Sequence, residues 1–316
     1  ERSRGLGDVY KRQAEMISAT YQEGKMNIFE AIMQGIIQGL TEFLPVSSSG
    51  HLSLYQHFTG NSGEGALLFS AVLHLGTLVA VFTAFRKTIW ELIKELGFMI
   101  KDIFTGKFKW KEMNPPRRAI IMMIISLLML IPFYIFKDFF EGVSEDSDII
   151  VEGICFLYTA TILFFSDRCV KGNKKFGDIT VKNAVTVGAF QGVALLPGVS
   201  RSGSTISGGL FCGFERETAV QYSFILGIPA ILGGCLLQVK DAVDQKAMDI
   251  EPLNFAVGFI VSAIVGICAI KMVNWLVKSD KFKIFAVYTL ILGVVVIGIG
   301  IFEHAVGMNL VDYLKK

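Results

Sequence analysis

The 316-residue chain is 52% hydrophobic and 18% charged, with a formal net charge of +2 and a mean hydropathy of +0.54. That composition exceeds what a soluble domain carries and predicts a polytopic membrane protein. So small a net charge excludes a nucleic-acid partner as an expectation.

Residues 1–25 are polar and lack the apolar core of a signal peptide, so they are read as a non-core extension with Met26 or Met16 as the start. Residues 26–316 are then a single membrane domain. Its first apolar stretch, 28–59, is long enough to cross a bilayer but is interrupted by QGLTEFLPVSSSGH. Three crossings follow at about 66–85, 119–136 and 149–166, separated by a loop in which the amphipathic segment 91–106 is expected on the membrane surface. A second interrupted stretch covers 181–213, and further crossings are expected at 219–239, 254–277 and 284–303. Residues 86–118 hold nine Lys/Arg, 167–183 five and 278–283 three, whereas 137–148 holds one and 240–253 two. The positive-inside rule makes the first set of loops cytoplasmic and puts the termini outside. Cys155, Cys169, Cys212, Cys235 and Cys268 form no C-x-x-C pair and read as small core residues.

Sliding the chain against itself by 153 residues pairs Gly35 with Gly188, Gln38 with Gln191, Gly39 with Gly192, Ser47 with Ser200, Ser49 with Ser202 and Gly50 with Gly203. Each half, about 27–168 and 180–303, holds one broken segment and three crossings. An odd number of crossings turns the second half over, which predicts an inverted-topology repeat. Pro45 and Pro197 remove a backbone donor, and Gly50, Gly198 and Gly203 admit non-helical backbone. Non-helical backbone at membrane depth must be satisfied by protein or by a wet cavity. The fold expected is therefore all-α and integral to the membrane: about six transmembrane helices and two re-entrant helix-loop-helix hairpins whose tips meet near the midplane.

Serine and glycine at such tips commonly serve close packing. An ionisable group at membrane depth costs about 2.5–3.5 kcal/mol even on the lenient scale, so Glu42 and Arg201 point to function. PGVSRSGST can cradle an oxyanion through backbone N–H groups, hydroxyls, a helix N-terminus and the guanidinium fork. The first tip offers His51 for proton transfer and Glu42 to hold a cation or orient water. Phosphoryl transfer needs little more.

These two stretches resemble the signature motifs of the undecaprenyl-diphosphate phosphatase family, also called the bacitracin-resistance family, and the similarity runs from about Met26 to the C-terminus. The resemblance implies an enzyme of the bacterial inner membrane. It would release phosphate from a fifty-five-carbon prenyl diphosphate, recycling the lipid carrier of cell-wall synthesis, with a site opening outward, a divalent cation (Mg²⁺ or Ca²⁺) and bacitracin as a competitor for the lipid. Carried over by position, the acidic motif falls on Gln38 and Glu42, the essential histidine on His51, and the arginine motif on Ser200, Arg201 and Thr205. Gln38 stands where a second carboxylate is common, which weakens metal binding by this motif alone. The expected roles give Glu42 and Gln38 the metal, and Gln38, Ser49, Ser200, Arg201, Ser202 and Thr205 the diphosphate. His51 is general base or nucleophile, and Ser47 or Ser48 is the rival nucleophile. Monomer and homodimer stay open.

His74 is read as a relay or as a histidine satisfied by a neighbouring helix. His57 is not expected to ligate metal, and Glu30 and Glu152 are expected at solvated helix ends. A lipid-phosphate transporter is the serious rival, since secondary transporters share broken helices and midplane sites. The type-2 phosphatidic acid phosphatases are discounted, because SGSTISGG after Arg201 offers no histidine.

Overall fold

The computed structural model describes residues 26–59, 66–135, 149–196, 198–244, 251–278 and 281–314. Among them the chain is helical, with one isolated bridge between Lys174 and Phe214 and no strand. The first broken stretch becomes α1 (Ile28–Thr41) and α2 (Ser48–Thr59). They are followed by α3 (Ala66–Ala84), α4 (Arg86–Phe104), α5 (Pro115–Leu128), the short α6 (Leu130–Tyr134) and α7 (Ile150–Asp167). The second broken stretch gives α8 (Val181–Val193) and α9 (Arg201–Phe211), and α10 (Arg216–Asp244), α11 (Pro252–Lys278), α12 (Lys283–Val306) and α13 (Leu310–Leu314) complete the order.

Local chemistry explains the boundaries. Asn27 and Glu30 close a capping box at the start of α1, so Glu30 is a cap rather than a site residue. Asn114 caps α5 ahead of Pro115 and Pro116, starting that helix four residues before the apolar run expected from 119. Thr180 caps α8 and Ser200 caps α9. Gly307, with φ of 72°, ends α12 in the left-handed region.

Among the described residues five helices are long and apolar enough to cross a membrane: 115–133, 150–167, 216–244, 252–277 and 283–306. A sixth span follows if α3 and α4, bent by 89°, count as one. The protein is thus a multi-pass membrane protein with five or six spans, in line with the six expected. The amphipathic segment expected at 91–106 belongs to α4, which starts earlier, at Arg86, and turns sharply away from α3.

The broken pairs sit at the centre. α1 packs against α11 and α3, α8 packs against α5 and α9, and α7 packs against both α9 and α12. Glycines permit the close crossings. A Cβ on Gly39 would lie 2.8 Å from the Ser262 carbonyl oxygen, and one on Gly35 would lie 3.0 Å from Val261 Cβ. Phe43 and Val46, in the first break, are buried in the main core, where Phe43 meets Phe224 of α10 edge-on at 5.3 Å. One expectation is corrected here. Glu152 is not solvated: it is 8% exposed and accepts a 2.7 Å hydrogen bond from Ser53, because α2 covers the first turn of α7.

Candidate functional site

Between α1 and α2 the backbone leaves the helix at Glu42, whose N–H still bonds to the Gln38 carbonyl. Pro45 lies in this break; Pro197, expected at its counterpart, lies outside the described residues. Ser47 takes φ of 75°, the one non-glycine residue with positive φ among those described. Such a conformation costs roughly 1–3 kcal/mol and persists where surrounding contacts impose it. Those contacts are visible: Ser47 Oγ accepts from Gly50 N–H at 3.2 Å, and the Ser47 carbonyl accepts from His51 Nδ1 at 2.7 Å.

The second break repeats this stitching. Ser200 Oγ accepts from Gly203 N–H at 3.0 Å, and Ser200 and Ser202 hydroxyls lie 3.4 Å apart, as do those of Ser47 and Ser49. The breaks also bond to each other. Gly198 N–H donates to Ser49 Oγ at 3.2 Å and Ser202 Oγ donates to the Leu44 carbonyl at 3.2 Å. A Cβ on Gly50 would meet Gly198 Cα at 3.3 Å, and one on Gly203 would meet Pro45 Cβ at 3.4 Å. Ser49 and Ser202 therefore join the two tips.

The charged groups meet across that joint. Arg201 Nη2 lies 2.7 Å from Glu42 Oε1, linking residues 159 positions apart in the chain. Glu42 Oε2 accepts from Ser48 Oγ at 2.7 Å and from Gln38 Nε2 at 3.0 Å. Glu42 is 6% exposed, so its charge rests on these donors rather than on water. Arg201 Nη1 reaches the Ser223 carbonyl at 3.4 Å, and Gly227 gives the guanidinium room, since a Cβ there would collide with it.

A cavity of about 730 Å³ opens beside this pair. Glu42, Ser48, Ser49, Ser200, Arg201 and Ser202 line it, so two separately inferred motifs share one wall. Ser200 to Ser202 are the cap and first turn of α9, whose positive dipole end faces the space. Leu127, Leu130, Ala194, Leu195, Pro229 and Ile231 supply an apolar remainder. The arrangement can hold a phosphate on Arg201 and the helix terminus, present a hydroxyl in contact with a carboxylate, and accommodate an alkyl chain alongside.

Four expected site residues do not line the cavity. Gln38 acts on Glu42 from behind, and Ser47 holds the turn. Thr205 Oγ1 pairs with Ser223 Oγ at 2.6 Å. His51 Nε2 bonds to Tyr288 OH at 2.7 Å, stacks on that ring and meets Phe156 edge-on. The Ser48 hydroxyl, expected as a rival nucleophile to His51, is bonded to Glu42. Two cavity residues were missed as site members. His74, set aside as a possible relay, has Nδ1 2.8 Å from the Ser70 carbonyl and presents Nε2 to Glu42 Oε2 at 3.8 Å. Gln191 lines the cavity at 2% exposure, and its pairing with Gln38 in the repeat was the available signal. His57 bonds to Glu303 at 3.0 Å and to Asn309, outside this cavity.

For a divalent cation the donor set is small. Among the described residues no three His, Cys, Asp or Glu side chains cluster in a metal-holding arrangement. Gln38 Oε1, however, is buried beside Glu42 with no hydrogen-bond partner among those residues. Gln38 lies behind Glu42 and outside the cavity, so at the cavity wall it is the Glu42 carboxylate that would offer oxygen to a hard cation, whose other ligands would come from substrate and water.

A family model described as "Bacitracin resistance protein BacA" matches residues 31–295. The chain is 39% identical over 272 residues to an undecaprenyl-diphosphatase of Alkaliphilus metalliredigens, covering 86% of this chain and 98% of the relative. It is 40% identical over 276 residues to an undecaprenyl-diphosphatase of Methanosphaera stadtmanae, with 86% and 98% covered. Undecaprenyl-diphosphatase 4 of Bacillus thuringiensis subsp. konkukian is 38% identical over 273 residues, with 86% and 97% covered.

Proposed function

The chain belongs to the bacitracin resistance protein BacA family, and from that membership we propose how its own residues carry out the reaction. It is an undecaprenyl-diphosphatase: it converts undecaprenyl diphosphate to undecaprenyl phosphate and inorganic phosphate, returning the lipid carrier to cell-wall synthesis. The observation that carries the mechanism is the Glu42–Arg201 contact, which brings the acid of one break and the cation of the other onto one cavity wall.

In our reading Arg201, the N-terminus of α9 and Ser200 hold the diphosphate and spread the charge that develops on it. Ser48 Oγ, 2.7 Å from Glu42 Oε2, attacks the terminal phosphorus as Glu42 takes its proton; the bridging P–O bond breaks and the prenyl phosphate leaves. Water then releases phosphate from Ser48. His51, gripped by the Ser47 carbonyl and Tyr288, fixes the strained turn that presents Ser48. As water bonds to phosphorus and the Ser48–phosphorus bond breaks, Glu42 returns its proton to Ser48 Oγ, with His74 facing Glu42 at 3.8 Å. A divalent cation, when bound, would neutralise phosphate charge, and Glu42, which lines the cavity, would hold it together with substrate oxygens and water.

Topology enters the same proposal. The two broken pairs are re-entrant hairpins of an inverted repeat, a reading supported by the matched caps at Asn27 and Thr180 and the matched serine bonds at Ser47 and Ser200. The cavity is walled by the later half of α10, from Pro229 to Asp241, which leads to the loop poor in Lys/Arg. On the positive-inside rule it opens to the outer face of the bacterial inner membrane. The proposed partners are the lipid diphosphate, bacitracin as a competitor for it, and a second copy of the chain.

The test is inorganic phosphate release from fifty-five-carbon prenyl diphosphate by purified protein with Mg²⁺, with Ca²⁺ and with chelator, beside His51→Ala and Arg201→Ala. Release that stops with chelator and in both variants supports the reading. Binding that needs Arg201 without any release would make the chain a lipid-phosphate carrier instead.

A further inference from the structure

Gln38 and Gln191 occupy the same register in the two halves, 153 residues apart, yet their amides fare differently. Gln38 Nε2 reaches the carboxylate four residues on, Glu42. The residue four beyond Gln191 is Leu195, so the second half has lost that partner. Both Gln191 Nε2 and Oε1 are buried with no hydrogen-bond partner among the described residues, and both Gln191 and Leu195 line the cavity. A buried carboxamide left without partners is costly to a fold, and such groups in a native protein call for a ligand or water.

We infer that Gln191 is a substrate-binding residue that reads the diphosphate headgroup, its Nε2 donating to a phosphate oxygen and its Oε1 accepting from a protonated one. The inference rests on the phosphatase reading and adds a contact from the wall of α8, separate from Arg201. A neutral amide suits this place. It can donate and accept at once, so it adds recognition without a second positive charge that would hold the product after cleavage. The same amide pair distinguishes a phosphate with both kinds of oxygen from an apolar tail, which Leu127, Leu130 and Leu195 nearby would accept.

Gln191→Leu separates this role from a structural one, because the leucine keeps volume and removes the unsatisfied polar atoms. On prenyl diphosphate we expect KM to rise about tenfold or more, the lower end for one hydrogen bond to a charged group. kcat should stay within about threefold, and the lipid-free melting temperature should be unchanged or higher. Gln191→Glu, which sets a negative charge against the phosphate, should raise KM further. An unchanged KM in Gln191→Leu overturns the inference, and so does a lower lipid-free melting temperature, which would mean that the amide is satisfied within the protein. If wild-type protein releases no phosphate, the phosphatase reading fails on its own, and lipid-induced stabilisation decides this one. A rise in melting temperature with prenyl diphosphate in wild type that Gln191→Leu lacks supports it, and an equal rise in both overturns it.

Discussion

Glu42→Gln keeps the shape of the central side chain and removes its charge. The carboxylate takes Arg201 at 2.7 Å on one oxygen, and Ser48 at 2.7 Å with Gln38 at 3.0 Å on the other. An amide can keep one of these oxygens. If it faces Arg201, its NH₂ is set against the Ser48 and Gln38 donors, and Ser48 must turn to become an acceptor. Deleting one partner of a buried ion pair costs about 3–5 kcal/mol. The Arg201 side chain is 17% exposed on the cavity side, which lets part of its charge be screened, so about 2–3 kcal/mol is expected for the lipid-free protein. The lipid diphosphate replaces the missing anion. Its stabilising effect, measured as a melting shift in chelator, should be larger in the variant than in wild type. Affinity in chelator should hold or tighten by up to about tenfold, since Arg201 need not first release Glu42. Phosphate release should fall by at least about a hundredfold with loss of the base. Turnover within tenfold of wild type would refute Glu42 as base. Affinity weakened tenfold in chelator would refute the idea that Glu42 competes with substrate for Arg201.

Other perturbations read other parts of the design. Ser47→Gly should melt near wild type, because glycine tolerates positive φ and replaces a capping hydroxyl at a cost of only a few tenths of a kcal/mol, whereas Ser47→Val should be destabilised by about 2 kcal/mol or more in a detergent melt. Gly188→Leu would drive a Cβ to within 2.5 Å of the Ser126 carbonyl oxygen, so it should not yield folded protein by size-exclusion chromatography, whereas leucine at Gly97, which meets nothing within 4 Å, should be tolerated. Tyr288→Phe removes the 2.7 Å bond to His51 Nε2 while keeping the stacked ring, and should lower kcat about tenfold with KM unchanged. Chelator should abolish release by wild-type protein, and Mg²⁺ or Ca²⁺ should restore it.

Interruption was legible in the sequence because its causes are local. Pro45, the glycines and the capping serines each constrain a few residues around them, and the structure breaks its helices at 42–47 and 194–200, as those residues require. Glu42 and Arg201 were legible as site residues through cost, since an ionisable group at membrane depth is expensive, whereas their direct pairing was not. What stayed hidden depends on partners far along the chain. Tyr288 reaches His51 across 237 positions and Ser53 reaches Glu152 across 99, and no local pattern marks either pair. His51 was read as a chemical group because histidine titrates near neutrality; its bonds to the Ser47 carbonyl and Tyr288 are the contacts on which the bracing role proposed above rests. The 89° turn between α3 and α4 was hidden for another reason. Apolar spacing gives the length of a helix and says nothing of its direction.

The joint between the two breaks has a consequence for how the protein comes into being. Three bonds that join the breaks at the cavity wall cross the midpoint of the chain: Glu42 to Arg201, Gly198 to Ser49, Ser202 to Leu44. A ribosome that has delivered only the first half has placed an acid and a hydroxyl in the membrane with nothing to grip a phosphate. The second half alone would carry a grip with no base. On the proposed mechanism, lipid cleavage would begin once both halves are in place, and a chain cut before Arg201 would lack the group that grips phosphate.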